Sequence, residues 1–402
     1  VFWSHLILGL TAGLVILIMS VTGVLLTYEK QIVAWVDRSY LNEGSTLGAP
    51  RAPVAEMVAA IQNVSSAAPT TLTFYSGSAV VSGAADGTTY YVDAHTADLL
   101  GTGSTRIRAF FRSVTDWHRY VAMSGESRST GKAITGASNL VFLLIVVSGA
   151  VIWWRGAVLW FRKGLRGKAL FFNLHNVFGI WTLVPLFLVV LSATVISYPW
   201  ATSLVYTLTG SEQPPSNSGR NANAAGGRGG GGEGRGNLAG GGAPQVDLSG
   251  IDAALTLVEP VHPSWKTIAV RLPAAADKEV TFTVDGGNSG QPQFRTAVVV
   301  DRNAGSITRR EIFADQNLGR RARSWLRFVH TGEYYGIAGQ TIAGIASLAG
   351  VGLVLTGAVL SCQRLVAWIR RRGRGVSVAE VPSAVQLTPA VTSVARRAEE
   401  NP

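Results

Sequence analysis

The stretch His5-Leu-Ile-Leu-Gly9 opens an apolar run that ends at Tyr28, and His175-Asn-Val-Phe-Gly179 opens another that ends at Tyr198. The distance from histidine to tyrosine is the same in both. The text before each tyrosine is also similar, Ser20-Val-Thr-Gly-Val-Leu-Leu-Thr-Tyr28 against Leu191-Ser-Ala-Thr-Val-Ile-Ser-Tyr198. Two more histidines, in Trp117-His118 and Val329-His330, precede apolar runs that share Val147-Ser-Gly-Ala-Val151 and Leu355-Thr-Gly-Ala-Val359. The chain thus reads as one unit written twice, each copy with an early and a late histidine. Such a repeat fixes the architecture before any local reading does.

Of the 402 residues, 47% are hydrophobic and only 15% are charged, which points to a membrane protein. Four apolar runs, Leu6–Tyr28, Ile134–Trp154, Phe178–Tyr198 and Ile337–Leu360, are each near the roughly 20 residues that a helix needs to cross the hydrocarbon. The expected fold is an integral membrane α-helical protein of four transmembrane helices in two tandem repeats, with two small α+β domains outside the membrane. The expected boundaries are helix one at 1–29, an external region at 30–117, the late-histidine segment and helix two at 118–155, and a basic loop at 156–171. Helix three follows at 172–198, a second external region at 199–329, the second late-histidine segment and helix four at 330–363, and a basic tail at 364–402.

Charge sets the expected orientation. The loop Arg155–Lys168 carries Arg155, Arg162, Lys163, Arg166 and Lys168 and no acid, and Arg364, Arg370, Arg371, Arg372 and Arg374 follow the last run. The positive-inside rule puts both segments, and both termini, in the cytoplasm. The two long connections are then outside, because long loops translocate largely regardless of charge. No cleavable signal is expected, since the first run is too long for one and lacks a small-x-small site. The net charge of +11 fits membrane lipid headgroups and anionic ligands, and no nucleic-acid module is visible. The single cysteine, Cys362, rules out a disulfide within the chain, and the absence of Cys-x-x-Cys-His means that any heme is held noncovalently.

Each external region reads as a helix followed by a small antiparallel sheet. The first has a helix over Ala52–Ser65 and strands over Thr71–Tyr75, Ala79–Ser82 and Thr88–Val92. The second has a helix over Asp247–Val258 and strands over Thr267–Leu272 and Glu279–Val284. Tyr90–Gly101 and Ala297–Thr308 both have the form strand, Asx-type turn, strand. The stretch Gly219–Gly242 is nearly all Gly, Asn, Ala and Arg and is expected to be a disordered tether. The segments Arg106–His118 and Arg320–His330 read as amphipathic helices at the outer membrane surface.

Histidine at the edge of a membrane helix is costly and suggests function. In two repeats of the same orientation, equivalent residues face each other across an axis along the membrane normal. His5 is then expected opposite His175, and His118 opposite His330. A heme on the axis would take one imidazole on each face, so the expected cofactors are two b-type hemes, bis-His ligated and noncovalent. Closing both axial positions favours electron transfer over oxygen binding. Zinc is disfavoured, because no cysteine or carboxylate lies close in sequence to complete either pair. His95 and His262 read as turn or surface residues.

At these residues the chain resembles the PepSY-associated transmembrane family, in particular its ferrisiderophore reductases of the FoxB type. The resemblance is carried by His5-x-x-x-Gly9, Trp117-His118-Arg119, Gly149-Ala-Val-Ile-Trp-Trp-Arg155, His175-x-x-x-Gly179 and His330-Thr-Gly-x-x-Tyr-Gly336, and covers about residues 1–372. It departs from the family where Ala97 stands in place of the usual glycine of the first Asp-x-x-Thr-Gly turn, and in the glycine-rich insertion. The resemblance implies a bacterial inner-membrane protein with PepSY-like domains in the periplasm. It implies a heme-dependent ferric-siderophore reductase that passes electrons outward and releases Fe(II). The acceptor is then expected at the outer mouth, contacted by Arg119, Arg323, Arg327, Tyr334 and Tyr335, with Arg112, Trp117 and Trp325 nearby.

No flavin or nicotinamide fingerprint is present, so the electrons must come from a separate donor, either quinol or a cytoplasmic reductase. Two other functions stay open on the sequence: a heme conduit to a periplasmic redox protein, and a non-redox PepSY-type binding or regulatory protein.

Overall fold

The computed structural model describes residues 1–42, 50–65, 67–76, 79–84, 86–214, 246–274 and 277–374. The glycine-rich stretch 219–242 and the tail 375–402 lie outside the described residues. The chain divides into two units, Val1–Leu360 and Ser361–Pro402. The sheet and all four histidines of the repeat belong to the first.

Three helices are long and apolar enough to cross a membrane: α1, Phe2–Leu26; α6, Arg128–Trp154; and α12, Gly336–Arg374. Their outward side chains, among them Leu10, Leu14, Leu144, Ile345 and Leu348, are exposed. An apolar surface of that kind is stable in lipid and not in water. The expected third span is not one helix. It is α7, Gly167–Trp181, and α8, Leu183–Ser197, bent by 68° at Thr182. Pro185 explains the break, because it has no N–H to give the Trp181 carbonyl. Thr182 Oγ1 donates instead to the Phe178 carbonyl at 2.7 Å. The matching position in the first half is Val15, and α1 runs through unbroken.

Small residues set the helix contacts. A Cβ on Gly344 would press on Thr27, and one on Gly350 on Ser20, so α12 lies close against α1. Asn139 of α6 donates to the Val190 carbonyl and to Thr194 Oγ1 of α8, at 3.1 and 2.9 Å. Two amphipathic helices, α5 (Thr105–Tyr120) and α11 (Leu318–His330), carry the late histidines. Their N-caps are Ser104 and Asn317, whose side chains accept from Ile107 N and Arg320 N. Gly131 and Gly339 let the chain approach the ends of these helices, since a Cβ there would run into the carbonyl oxygens of Tyr120 and Gly332. Short helices α2 (Glu29–Val36), α3 (Arg38–Asn42) and α9 (Pro199–Leu208) follow α1 and α8 and were not expected from the sequence.

The two long connections between the apolar helices form one sheet, where two domains were expected. Its strands are β1 Pro69–Tyr75, β2 Ala79–Ala84, β3 Thr89–Asp93, β4 Leu99–Thr102, β5 Thr267–Arg271, β6 Glu279–Asp285, β7 Arg295–Asp301 and β8 Ser306–Ile312. The order β4-β3-β2-β1-β5-β6-β7-β8 reads the same from either end, one repeat on each side. β1 and β5 pair antiparallel with Thr73 opposite Ala269 at the centre. Each would otherwise be an unpaired edge, and joining them satisfies both. Helices α4 (Val54–Gln62) and α10 (Ile251–Val258) cover one face over a single core that includes Leu72, Phe74, Ile268 and Phe282. Val54 N donates to Asp252 Oδ1 at 2.9 Å and ties the two halves together. The Asx turns occur as expected: Asp93 Oδ1 accepts from His95 N and Thr96 N, and Asp301 Oδ1 from Asn303 N and Ala304 N.

The sheet is fastened to the bundle by Asp37. Its buried carboxylate pairs with Arg108 of α5 at 2.6 Å and accepts from Tyr91 OH at 2.9 Å and Ser104 N at 3.0 Å. One acid thereby links α2, β3 and the start of the helix that carries His118.

Candidate metal centres

The structure brings the four histidines into two facing pairs. The rings of His5 (α1) and His175 (α7) have centroids 6.4 Å apart and are perpendicular, at 88°. Those of His118 (α5) and His330 (α11) are 6.3 Å apart at 54°. Each pair takes one residue from each repeat. The second pair lies at the end of the bundle next to the sheet.

Hydrogen bonds engage the Nδ1 atom of every ring. His5 Nδ1 meets Ser148 Oγ, His118 Nδ1 meets Thr22 Oγ1 and His175 Nδ1 meets Thr356 Oγ1, each at 2.9 Å. His330 Nδ1 meets the Val189 carbonyl at 3.0 Å, with Ser192 Oγ at 3.4 Å. The hydroxyls already donate to backbone carbonyls: Ser148 to Ile145, Thr22 to Ile18, Thr356 to Gly352 and Ser192 to Val189. They can therefore only accept from the ring, so the proton sits on Nδ1 and the lone pair on Nε2. A hydrogen-bonded Nδ1–H behind a free Nε2 is the usual arrangement of a metal-ligating histidine. Each ring is held by its own repeat, and each pair spans both. Gly149 and Gly357 also make room for the early rings, as a Cβ there would come within 3.3 and 3.4 Å of the Cε1 atoms of His5 and His175.

The spacing has a chemical meaning. An imidazole nitrogen binds a transition metal at about 2.0–2.1 Å and lies roughly 1 Å from its own ring centre, so two rings in line on one metal are roughly 6 Å apart. Both observed distances suit that arrangement. Among the described residues no group of three His, Cys, Asp or Glu side chains could hold a metal ion. A two-imidazole site suits a metal whose other positions are filled by a macrocycle, and the chain's residues fit a heme at each pair. At Gly9, one turn from His5, nothing lies within 4 Å of where a Cβ would stand, which leaves space for a flat ring.

The pair next to the sheet opens into a cavity of about 450 Å³. His118 and His330 line it, with Lys30, Arg119, Lys132, Arg295, Arg323 and Arg327. The acids Glu29 and Glu333 line it too, and Lys30 pairs with Glu333 at 3.0 Å. Burial holds the His118 imidazole down to about 4, and the neighbouring His330 pushes the same way. Burial also lowers His330. Both rings are thus neutral at physiological pH, as ligation requires. Burial pushes the Glu29 carboxyl up to about 7, against the pull of Lys30 and with a push from Glu333.

Of the residues expected at the acceptor mouth, Arg119, Arg323 and Arg327 line this cavity, and Tyr334 and Tyr335 do not. Tyr335 accepts instead from Trp325 Nε1 at 3.2 Å, and the Tyr334 carbonyl accepts from Gln293. The sequence reading missed the four ring-holding hydroxyls, although the repeated Ser148-Gly149 and Thr356-Gly357 pairs contained the signal. It also missed Arg295, which reaches the cavity from the sheet. His95 sits in the β3–β4 turn with Nδ1 3.2 Å from the Pro50 carbonyl, and His262 lies against Gly286.

A family model described as PepSY-associated TM region matches residues 2–364. No curated protein matches the chain.

Proposed function

Given that the chain belongs to the PepSY-associated TM region family, we propose that this membrane protein is a di-heme b oxidoreductase that reduces ferric siderophore and releases Fe(II). The observation that carries the reading is the two pairs of neighbouring imidazoles, 6.4 and 6.3 Å apart, with every Nδ1 engaged within its own repeat, which leaves Nε2 as the ligating nitrogen. His5 and His175 would hold one heme, and His118 and His330 the other. A bound heme would supply reversible one-electron chemistry there, held by one imidazole from each repeat.

The chain's own residues supply the rest. Ser148, Thr22, Thr356 and the Val189 carbonyl keep each ring in the ligating tautomer. The basic lining of the sheet-side cavity would hold heme propionates and attract an anionic ferric chelate. By the positive-inside rule that cavity would face outward, which in a bacterial inner membrane is the periplasm, and the His5–His175 pair would lie near the cytoplasm. Electrons would enter there from quinol or a cytoplasmic reductase.

The test is iron release. Purified protein is reduced without oxygen, freed of reductant and mixed with ferric siderophore and a ferrous chelator. The reading expects protein reoxidation and coloured ferrous chelate to appear together. If ferric siderophore leaves the reduced protein unchanged, the reading fails. Reoxidation by a redox protein alone would favour an electron conduit.

A further inference from the structure

The connection between β6 and β7, residues 286–294, is longer than its counterpart between Ala84 and Thr89, and among the described residues of the two only those of the longer one reach the sheet-side cavity. It is firmly docked. Gln293 Nε2 donates to the Tyr334 carbonyl at 3.1 Å. Gly290 lies so close to Glu333 that a Cβ would run into the carboxylate. Ser289, which lines the cavity, is held at φ +61°, a conformation that costs a residue with a Cβ.

Arg295 closes this hairpin and also lines the cavity. Its Nε donates to the buried Asp285 Oδ2 at 3.2 Å and its Nη2 to the Ser289 carbonyl at 2.6 Å. Its guanidinium stands over the Phe328 ring, 5.8 Å from the centroid. Among the described residues Nη1 makes no hydrogen bond. The fork is thus immobilised by two of its donor atoms while a third is left over. A fixed donor loses little entropy on binding. Asp285 offsets part of the charge, so recognition there depends on geometry more than on simple attraction of any anion.

We propose that the β6–β7 hairpin is the acceptor-selecting lip of the sheet-side cavity, and that Arg295 binds the donor oxygens of an anionic, carboxylate-bearing ferric chelate. This rests on the ferric-chelate reading above. It makes the second repeat, not the first, the source of acceptor specificity.

Binding can be tested without redox chemistry, using gallium(III) in place of iron. Gallium(III) citrate and an uncharged gallium(III) trihydroxamate are titrated into the purified full-length protein, followed by tryptophan fluorescence. Arg295→Gln should weaken gallium citrate by about tenfold or more, the size of one charge-assisted hydrogen bond. The uncharged complex should change much less, and heme content should stay the same. Arg295→Lys, which keeps a charge beside Asp285 but loses the fork, should also weaken citrate and guards against misfolding of the first variant. Unchanged citrate binding in both variants overturns the proposal. So does loss of heme, which would make Arg295 a propionate clamp. If the wild-type protein binds neither complex, the ferric-chelate reading itself fails and takes this proposal with it.

Discussion

His118 and His330 come from opposite repeats, yet their rings lie 6.3 Å apart with both Nδ1 atoms bonded outward. That relationship, repeated by His5 and His175 at the other end, organises the bundle. It also yields the first prediction. Substituting His5 or His175 by Ala should remove the same heme and give matching spectra, and His118 or His330 the other. The ring planes differ, 88° against 54°, so the two centres should also be separable by electron paramagnetic resonance. Matching spectra for His5→Ala and His118→Ala, different from the other two, would mean that each repeat holds its own heme.

The ring-holding hydroxyls predict unequal effects. His118 Nδ1 meets Thr22 Oγ1 at 2.9 Å, with the Met19 backbone as a further partner, whereas His330 Nδ1 meets the Val189 carbonyl at 3.0 Å and Ser192 Oγ only at 3.4 Å. Thr22→Val should remove the shorter of these two hydroxyl contacts, at a cost of about 0.5–1.5 kcal/mol, and weaken heme retention by roughly 10-fold. The less basic ring should also raise the midpoint potential of that centre. Ser192→Ala should do little to either. Equal effects in a heme-release and potentiometric comparison would contradict this ordering.

Much of this arrangement is legible in the sequence because the repeat pairs residues that no local pattern connects. His5 and His175 can be matched through Tyr28 and Tyr198, and symmetry then supplies the contact. The Asx turns at Asp93 and Asp301 are legible because their bonds are local. The joining of two expected domains into one sheet is not, since the meeting of Thr73 with Ala269 depends on where the helices carry the strands. The break at Thr182 was within reach, as Pro185 signals it, but an unbroken apolar run hides it. The hydroxyls were hidden for another reason: Ser and Thr inside helices commonly just bond to their own backbone, and these do that as well.

Ala97 and Gly305 occupy the same place in the two Asx turns, at φ +58° and +61°. That region costs a residue with a Cβ about 1–2 kcal/mol, partly offset by the greater unfolded-state freedom of glycine, about 0.5–1 kcal/mol. Ala97 is also buried in the sheet core, and losing its methyl costs about 0.8 kcal/mol, so Ala97→Gly should leave stability nearly unchanged. Gly305→Ala, whose Cβ would meet nothing within 4 Å, should destabilise the sheet by about 1–2 kcal/mol, and a denaturant or thermal comparison in which it does not would refute the assignment of strain.

Glu29 predicts a pH dependence. Its folded pKa is raised from 4.5 to about 7 by burial, so the folded chain holds the proton to higher pH than the unfolded one. The contribution to stability is full below about 4.5 and is lost as pH rises through about 7. Relative to Glu29→Gln, the wild-type thermal midpoint should fall across that window. A difference between the two proteins that stays flat with pH would show that Glu29 is not so buried.

A reduced-minus-oxidised visible spectrum with a heme count on purified protein decides whether the two imidazole pairs hold two noncovalent hemes. A b-type spectrum, two hemes per chain and complete extraction of both by acid acetone are expected. A protein that folds, carries its four histidines and binds no heme would contradict that expectation.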